Sequence, residues 1–465
     1  MSEYTAATDS DRREMLAAIG ADSVEDLFAD IPAGLRLTAP LDLGGGLSEQ
    51  EVYDELRALA ARNVSTEDEL CFLGAGMYDH YVPALVDAIT SRSEFLTPYT
   101  PYQPEVSQGG LQAMFEYQTA ICELTGLPVS NASVYEGPSA VAAAGYVAKL
   151  SSSSSSSRSS SEGGRFVVSR GVHPHSRETL VTLARGWGME VVEAPLQDGV
   201  TALPDLGSGV SAVIVQQPNF LGAVEDLEAR PTPAHEAGAL CIGACDPLAL
   251  GLLRSPGECG VDIAVGEGQT LGNRLDFGGP SFGFFAATEA LIRRIPGRIA
   301  GETRDLEGKR GFVLTLQTRE QHIRREKATS NICTAQALNA LAGVIYLSWL
   351  GRRGIVELCE LMLRRTAYAR ERLQELEGVT PLHAQPVVRE FALALDAPVE
   401  RVIARCLEQG VNPGYALHHD YPEYSDGLLV AITERRTRAE IDRLTSVLER
   451  AVATERSRTR QELRA

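Results

Sequence analysis

Between residues 70 and 310 short apolar runs alternate with helix-like stretches, and that alternation limits the fold more than any other feature of the chain. The runs cover 166–169, 190–194, 212–217, 239–243, 261–265 and 282–286, and segments such as 176–186 and 231–238 fill the gaps. Strands separated by helices pack as a largely parallel sheet covered on both faces. Beyond about residue 320 the pattern turns helix-rich, with strand candidates at 391–395 and 428–432. Ile441, Leu444, Leu448 and Val452 recur at helical spacing, so the tail packs by one stripe. Near the other end Leu16, Ile19, Val24, Leu27 and Phe28 also follow a helical spacing, which Pro32, Pro40 and Gly44 to Gly46 interrupt. The expected architecture is α/β. A helical arm covers 1–65, a large domain with a mostly parallel sheet covers 66–320, and a smaller α+β domain covers 321–465.

One stretch stands outside this pattern. Residues 151–164 are a serine tract closed by Gly163 and Gly164. Such a run has no apolar surface to bury, so it reads as a disordered insertion between a helix ending near Leu150 and the strand at 166. The formal net charge of -19 argues against a nucleic-acid partner, which would demand basic patches. The most apolar segment, 335–350, is shorter than the ~20 residues of a membrane span and reads as a buried helix. No basic segment followed by an apolar stretch opens the chain, so a cytoplasmic protein is expected. The eight cysteines are scattered, and Cys241 and Cys245 lack a second ligand pair at zinc-site distance. His418 and His419 sit in a polar stretch and read as surface histidines. No metal is expected.

Sheets of this kind bind ligands beyond the carboxyl ends of their strands. Just after the apolar runs come Gly171-Val-His173-Pro-His175, Pro218-Asn219-Phe-Leu-Gly222, Cys245-Asp246-Pro247 and Gly266-Glu267-Gly268-Gln269-Thr270. A His, an Asn and an Asp in that order suit pyridoxal phosphate. The imidazole stacks on the ring, the carboxylate stabilises the protonated ring nitrogen, and Gly-rich backbone at a helix start holds the phosphate. The lysine that would form the Schiff base is missing, because the residue after the last of these strands is Gln269. Only three lysines exist, Lys149, Lys309 and Lys327, and none follows one of these strands.

Several long segments carry a family resemblance. They are Phe72-Leu-Gly-Ala-Gly-Met-Tyr-Asp-His-Tyr-Val-Pro83, Tyr99-Thr-Pro-Tyr-Gln-Pro-Glu-Val-Ser-Gln-Gly109, Asn131-Ala-Ser133, Gly266-Glu-Gly-Gln269, Phe277-Gly-Gly-Pro280 and Arg324-Arg-Glu-Lys-Ala-Thr-Ser-Asn-Ile-Cys333. Together they resemble glycine decarboxylase, the P-protein family of the glycine cleavage system, over nearly the whole chain outside the serine tract. The resemblance implies the fold of the pyridoxal-phosphate-dependent transferases. The family comes as one long chain with two similar halves or as two subunits, and this chain is similar to the first half, or subunit 1. The cofactor lysine belongs to the other half, so Gln269 is the expected residue here.

The resemblance further implies a role as one subunit of a glycine dehydrogenase (decarboxylating). With subunit 2, in a two-plus-two heterotetramer, it would decarboxylate glycine and pass the aminomethyl group to the lipoyl arm of the H-protein. The pyridoxal phosphate would be held covalently by the partner subunit and not by this chain. Tyr99, Thr100, Tyr102, Gln103 and Glu105 form a proline-stiffened loop that either lines the partner's pocket or only packs at the interface. Thr329, Ser330 and Asn331, ahead of the apolar helix, either touch the cofactor phosphate in trans or cap that helix. His173, Asp246 and Gln269 mark a pseudo-site, where His173 and Asp246 are left to satisfy each other or buried backbone. Two other readings stay open: a scaffold that only stabilises its partner, and a stand-alone enzyme using Lys327.

Overall fold

A computed structural model describes residues 6–37, 39, 41–96, 99–152, 164–332 and 335–462. These residues divide into two compact units, Met1–Val64 and Ser65–Ala465. In the first, helices α1 (Asp9–Ile19) and α2 (Glu49–Ala60) each begin with a capping box, built by Thr8 with Asp11 and by Ser48 with Glu51. No described residue of this unit is buried, and Met15, Ile19, Leu56 and Leu59 are among its exposed apolar side chains.

The second unit is built around a seven-stranded sheet. Its strands are β1 (Val129–Ser130), β2 (Arg165–Ser169), β3 (Glu190–Ala194), β4 (Val210–Gln217), β5 (Leu240–Cys245), β6 (Ile263–Glu267) and β7 (Gly283–Ala287). The spatial order is β1-β7-β6-β5-β4-β2-β3. The five strands from β6 to β3 run parallel, while β7 lies antiparallel to both β6 and β1. Seven of the eight residues of β4 are buried, the continuous burial expected of a central parallel strand. Helices α3 (Gln108–Thr125), α4 (Gly137–Ser152) and α5 (Pro174–Gly186) pack around this sheet. The face of α4 that meets the sheet carries Ala140, Val141, Ala144, Val147 and Ala148.

All six expected runs of the large domain are strands, with ends displaced by at most two residues. Helix α4 runs on through Ser151 and Ser152, whose hydroxyls donate to Val147 O and Ala148 O. The remainder of the serine tract, 153–163, lies outside the described residues.

Helix α6 (Ala337–Gln374) holds non-helical geometry at Gly351, φ 63° and ψ 177°. Its first turns, Ala340 to Tyr346, pack under the large sheet, whereas Ala369 and Leu373 enter a second core. That core belongs to an antiparallel sheet of β8 (Val379–Pro381), β9 (Glu390–Leu395), β10 (Tyr415–Ala416) and β11 (Gly427–Ala431), in the order β8-β9-β11-β10. It is closed by α7 (Val399–Leu407) and α8 (Arg438–Glu462). Ile441, Leu444, Leu448 and Val452 of α8 are all buried, as their spacing predicts.

The segment that begins at Leu70 joins the two cores. Leu70–Cys71 pairs in parallel with Val411–Asn412, Phe72 is buried among the small-sheet residues, and the chain then crosses toward the large sheet. Among the described residues no helix is long and apolar enough to cross a membrane.

Candidate functional site

A cavity of about 400 Å³ opens beyond the carboxyl ends of β2, β4, β5 and β6, where the sequence motifs place His173, Asn219, Asp246 and Glu267. The 72–83 segment and the start of β9 close it, contributing Gly76, Tyr78, Arg389 and Glu390.

His173 caps α5. Its Nδ1 accepts from the His175 amide at 3.2 Å, so Nε2 carries the proton and donates to Ala75 O at 2.9 Å. Burial pushes its pKa down to about 4, against the opposing Ala75 hydrogen bond, so the ring is neutral at physiological pH. The loop over it needs glycine. Gly76 has φ +102°, and a Cβ there would lie 2.6 Å from the imidazole Nε2. Phe220 meets the same ring edge-on at 5.1 Å.

Asp246 faces a different partner. His173 and Asp246 do not satisfy each other: the Asp246 carboxylate pairs with the Arg389 guanidinium at 2.8 Å, both groups nearly enclosed. The guanidinium also donates to His80 Nε2 at 2.7 Å and stacks 3.5 Å over the Tyr78 ring. His80 Nδ1 then meets Glu434 at 2.7 Å, so a continuous chain of polar contacts runs from β5 to the residues after β11. Beside it, the Glu390 carboxyl accepts from Ala75 N and from the Tyr78 hydroxyl, each at 2.7 Å. Burial raises this carboxyl to about 7 in spite of those donors.

Gln269 is buried but does not line the cavity. Its amide oxygen accepts from Tyr78 N at 3.0 Å, and its nitrogen donates to Tyr78 O at 3.1 Å and to Asn273 O at 2.9 Å. Asn219 is equally occupied, by Gly199 O, Glu225 and the amides of Leu221 and Ala223.

The first turn of α4 also faces the cavity, and its amides are taken. Gly137 N donates to Glu267 Oε2 at 2.9 Å, Ser139 N to Glu136 Oε1 at 2.8 Å, and Ala140 N to Glu136 O, while Pro138 has no N–H. Glu267 also accepts from Ser281 Oγ and Gln269 N. Burial raises its pKa, and these donors oppose the shift.

The loop residues lie elsewhere. Tyr99 and Tyr102 are exposed, and Glu105 opens outward from a short turn at Pro104–Val106. Tyr102 is nonetheless engaged, since its hydroxyl accepts from Arg298 at 2.9 Å and Arg298 lies over its ring. Thr100 Oγ1 is enclosed without a partner, and Gln103 is exposed. Tyr99, Pro101, Ser107, Gly109, Gly110 and Leu338 border a second cavity of about 360 Å³. Thr329, Ser330 and Asn331 do not start or cap the apolar helix. It begins at Ala337, and the Gln336 amide before it is held by Ser133 Oγ at 3.0 Å.

With this geometry in view, the model of the family described as the glycine cleavage system P-protein matches residues 2–448. The chain belongs to the P-protein family. It is 49% identical over 449 residues to the probable glycine dehydrogenase (decarboxylating) subunit 1 of Moorella thermoacetica, covering 96% of this chain and 98% of the relative. The protein of the same description from Geobacillus thermodenitrificans is 47% identical over 452 residues, covering 96% and 99%. A crystal structure of glycine decarboxylase (P-protein) in inhibitor-bound form superposes with a TM-score of 0.87 at 44% identity, covering 97% and 100% of the two chains. A cysteine desulfurase from Escherichia coli, at TM-score 0.61 and 15% identity, shares the fold alone, that of the pyridoxal-phosphate-dependent transferases.

This P-protein's own pocket does not fit pyridoxal phosphate. Two carboxylates already hold the α4 amides where a phosphate would sit, and they would repel it. The Asp246 carboxylate is neutralised by Arg389 rather than left for a pyridinium nitrogen. No lysine lines the cavity. The Asp246 and His173 positions were legible in the sequence. Arg389, Glu390, Tyr78 and His80 were not, although two charges directly before an apolar strand at 391 are a signal that they have a buried purpose.

Proposed function

We propose that this chain is subunit 1 of a glycine dehydrogenase (decarboxylating) of the glycine cleavage system. It works with a lysine-bearing subunit 2 that holds pyridoxal phosphate, in a two-plus-two assembly that serves the lipoyl arm of the H-protein. The cofactor, bound by the partner, supplies the electron sink for loss of carbon dioxide. Gln269 stands where a Schiff-base lysine is otherwise expected. The observation that carries this reading is the internally paired pocket of a chain matched to the family over residues 2–448. The α4 amides, His173, Asp246 and Gln269 are each tied to other groups of this chain, so the cofactor chemistry falls to a second subunit.

This chain's contribution is the loop of Tyr99, Thr100, Tyr102, Gln103 and Glu105, of which the exposed Tyr99, Tyr102, Gln103 and Glu105 suit the edge of a partner's pocket. Thr329, Ser330 and Asn331 are assigned, less directly, to the same pocket. Exposed Phe277, 96% accessible, and the uncovered apolar residues of the arm also favour a partner, since side chains of this size are normally covered.

The test is glycine–bicarbonate exchange by the co-purified subunits with H-protein present. Tyr99→Ala is expected to lower exchange about tenfold, equivalent to about 1.4 kcal/mol of barrier, with the heteromer intact on size exclusion. Glu105→Gln should act in the same direction. Unchanged exchange in both variants would remove the loop from the pocket. Full exchange by subunit 2 alone would leave this chain a scaffold, a reading that the internally paired pocket also accommodates.

A further inference from the structure

Helix α7 and the turn after β10 bring together three side chains that the reading above does not use. Glu400 stands in the first turn of α7, and His418 and His419 occupy the turn Leu417–His419. Both imidazoles aim Nε2 at one oxygen of Glu400, His419 at 3.2 Å and His418 at 3.4 Å. The two rings lie 4.4 Å apart at 40°. One donor atom from each residue lies within 4.8 Å of the other two.

These spacings match a coordination shell. Zinc binds imidazole nitrogen and carboxylate oxygen at roughly 2.0–2.2 Å, which puts tetrahedral ligands roughly 3.3 Å apart. The two nitrogen-to-oxygen separations already have that length, and all three donor atoms lie within 4.8 Å of one another. We propose that Glu400, His418 and His419 bind one divalent transition-metal ion of the zinc class, with water in the remaining position.

The scaffold holds the three ligands in place before any ion arrives. Val399 and Val402 are buried on either side of Glu400, and Leu417 is buried immediately before the histidines. Asp420 accepts from the Tyr415 hydroxyl at 2.5 Å, and Tyr421 is buried and bonded to Arg170 O at 2.7 Å, so the turn is tied on its far side. His418 Nδ1 is enclosed, which leaves Nε2 as its one accessible donor. The Glu400 and His419 side chains are 56% and 54% exposed, so the ion has an open approach. Two imidazoles and one carboxylate are a borderline-soft set that favours zinc, cobalt, nickel or copper over magnesium and calcium, which take oxygen ligands. An ion here would pin the start of α7 to the turn beyond β10.

The experiment uses the full chain, stripped with a chelator and desalted. Titration with Zn2+ in a calorimeter is expected to show one ion per chain, and Co2+ should give visible d–d bands of a site with fewer than six ligands. Loss of partners one shell out lowers metal affinity by about 10–100-fold, so losing a ligand should cost at least tenfold. His419→Ala and Glu400→Gln, both on exposed side chains, should each show this loss, and the double variant should lose the cobalt bands. Zn2+ should raise the melting temperature of the native chain and not that of the double variant. Circular dichroism checks that the variants fold, and His418→Gln gives a third, independent removal. Absence of stoichiometric uptake overturns the proposal. So does uptake that the double variant retains, which would belong to other surface groups. If the histidines hold only a proton against Glu400, the calorimeter reads no zinc heat, and that result overturns it as well.

Discussion

Two neighbouring residues at the start of β9, Arg389 just before it and Glu390 its first, carry charge into the interior with different outcomes. Arg389 is balanced by Asp246 and flanked by Tyr78 and His80. Glu390 has hydrogen-bond donors but no direct cationic partner, and burial lifts its pKa from 4.5 to about 7. The sign of the resulting pH dependence is fixed by linkage. Between about 4.5 and 7 the folded chain keeps a proton that an unfolded chain releases, so stability falls as pH rises through that window and levels off above it. The size is on the order of 3 kcal/mol. Glu390→Gln imitates the protonated form, accepting from Ala75 N and leaving Tyr78 a partner. Thermal melts from pH 4.5 to 8.5 should show little difference from the native chain at the acid end. The variant should be the more stable one above pH 7. Parallel melting curves across the range would mean that Glu390 is ionised throughout.

At the level of elements, α4 shows how a helix can be required at one end and indifferent at the other. Its first turn is fixed by Glu136 and Glu267, and its sheet-facing alanines are fully buried. Its last turn enters the serine tract, where Ser151 also accepts from Arg294 at 2.8 Å. A deletion in the tract should therefore start after Ser152. Replacing 153–161 by two glycines should leave the heteromer and the exchange activity nearly unchanged, since each halving of a loop alters its closure free energy by only about 0.6 kcal/mol. Size exclusion with subunit 2 and the exchange assay check this, and failure to assemble would give the tract a structural role. The arm is the opposite case. Helices of 11 and 12 residues are marginal alone in water, and neither buries a residue here, so their apolar faces call for a covering surface.

The whole molecule keeps the outline of a cofactor enzyme while the groups that would anchor a cofactor are paired with others of this chain. Restoring the missing lysine should therefore not restore a cofactor site. Isolated Gln269→Lys, mixed with pyridoxal phosphate, is expected to show no stable lysine-linked absorbance band near neutral pH. The reasons are that Glu136 and Glu267 occupy the α4 amides and that Arg389 neutralises Asp246. Borohydride reduction followed by peptide mapping gives the second readout. A stoichiometric adduct on the introduced lysine would show that these pairings yield, and that the lysine alone separates this chain from a cofactor-binding one.

The sequence by itself determined the elements that rest on local periodicity. The parallel strands and the strands at 391 and 428 were legible as short continuous apolar runs, and the stripe on α8 because burial of one helical face repeats every three or four residues. The places of His173 and Asp246 at the cavity were legible too, because loops after strands are where such sheets place ligands, whereas Gln269 turns its side chain to Tyr78 and Asn273. Strands of two residues, β1 and β10, have no period to read. The start of α6 was misplaced because Ser330 and Asn331 look like caps, whereas the helix begins where Ser133, remote in sequence, holds the Gln336 amide. The tertiary structure alone decided which groups the pocket residues hold. Arg389 reaches Asp246, Glu267 reaches Gly137 and Glu390 reaches Ala75 only when the folded chain brings distant loops together. A buried charge must find its partner wherever the fold puts one, and nothing in the local pattern names that partner.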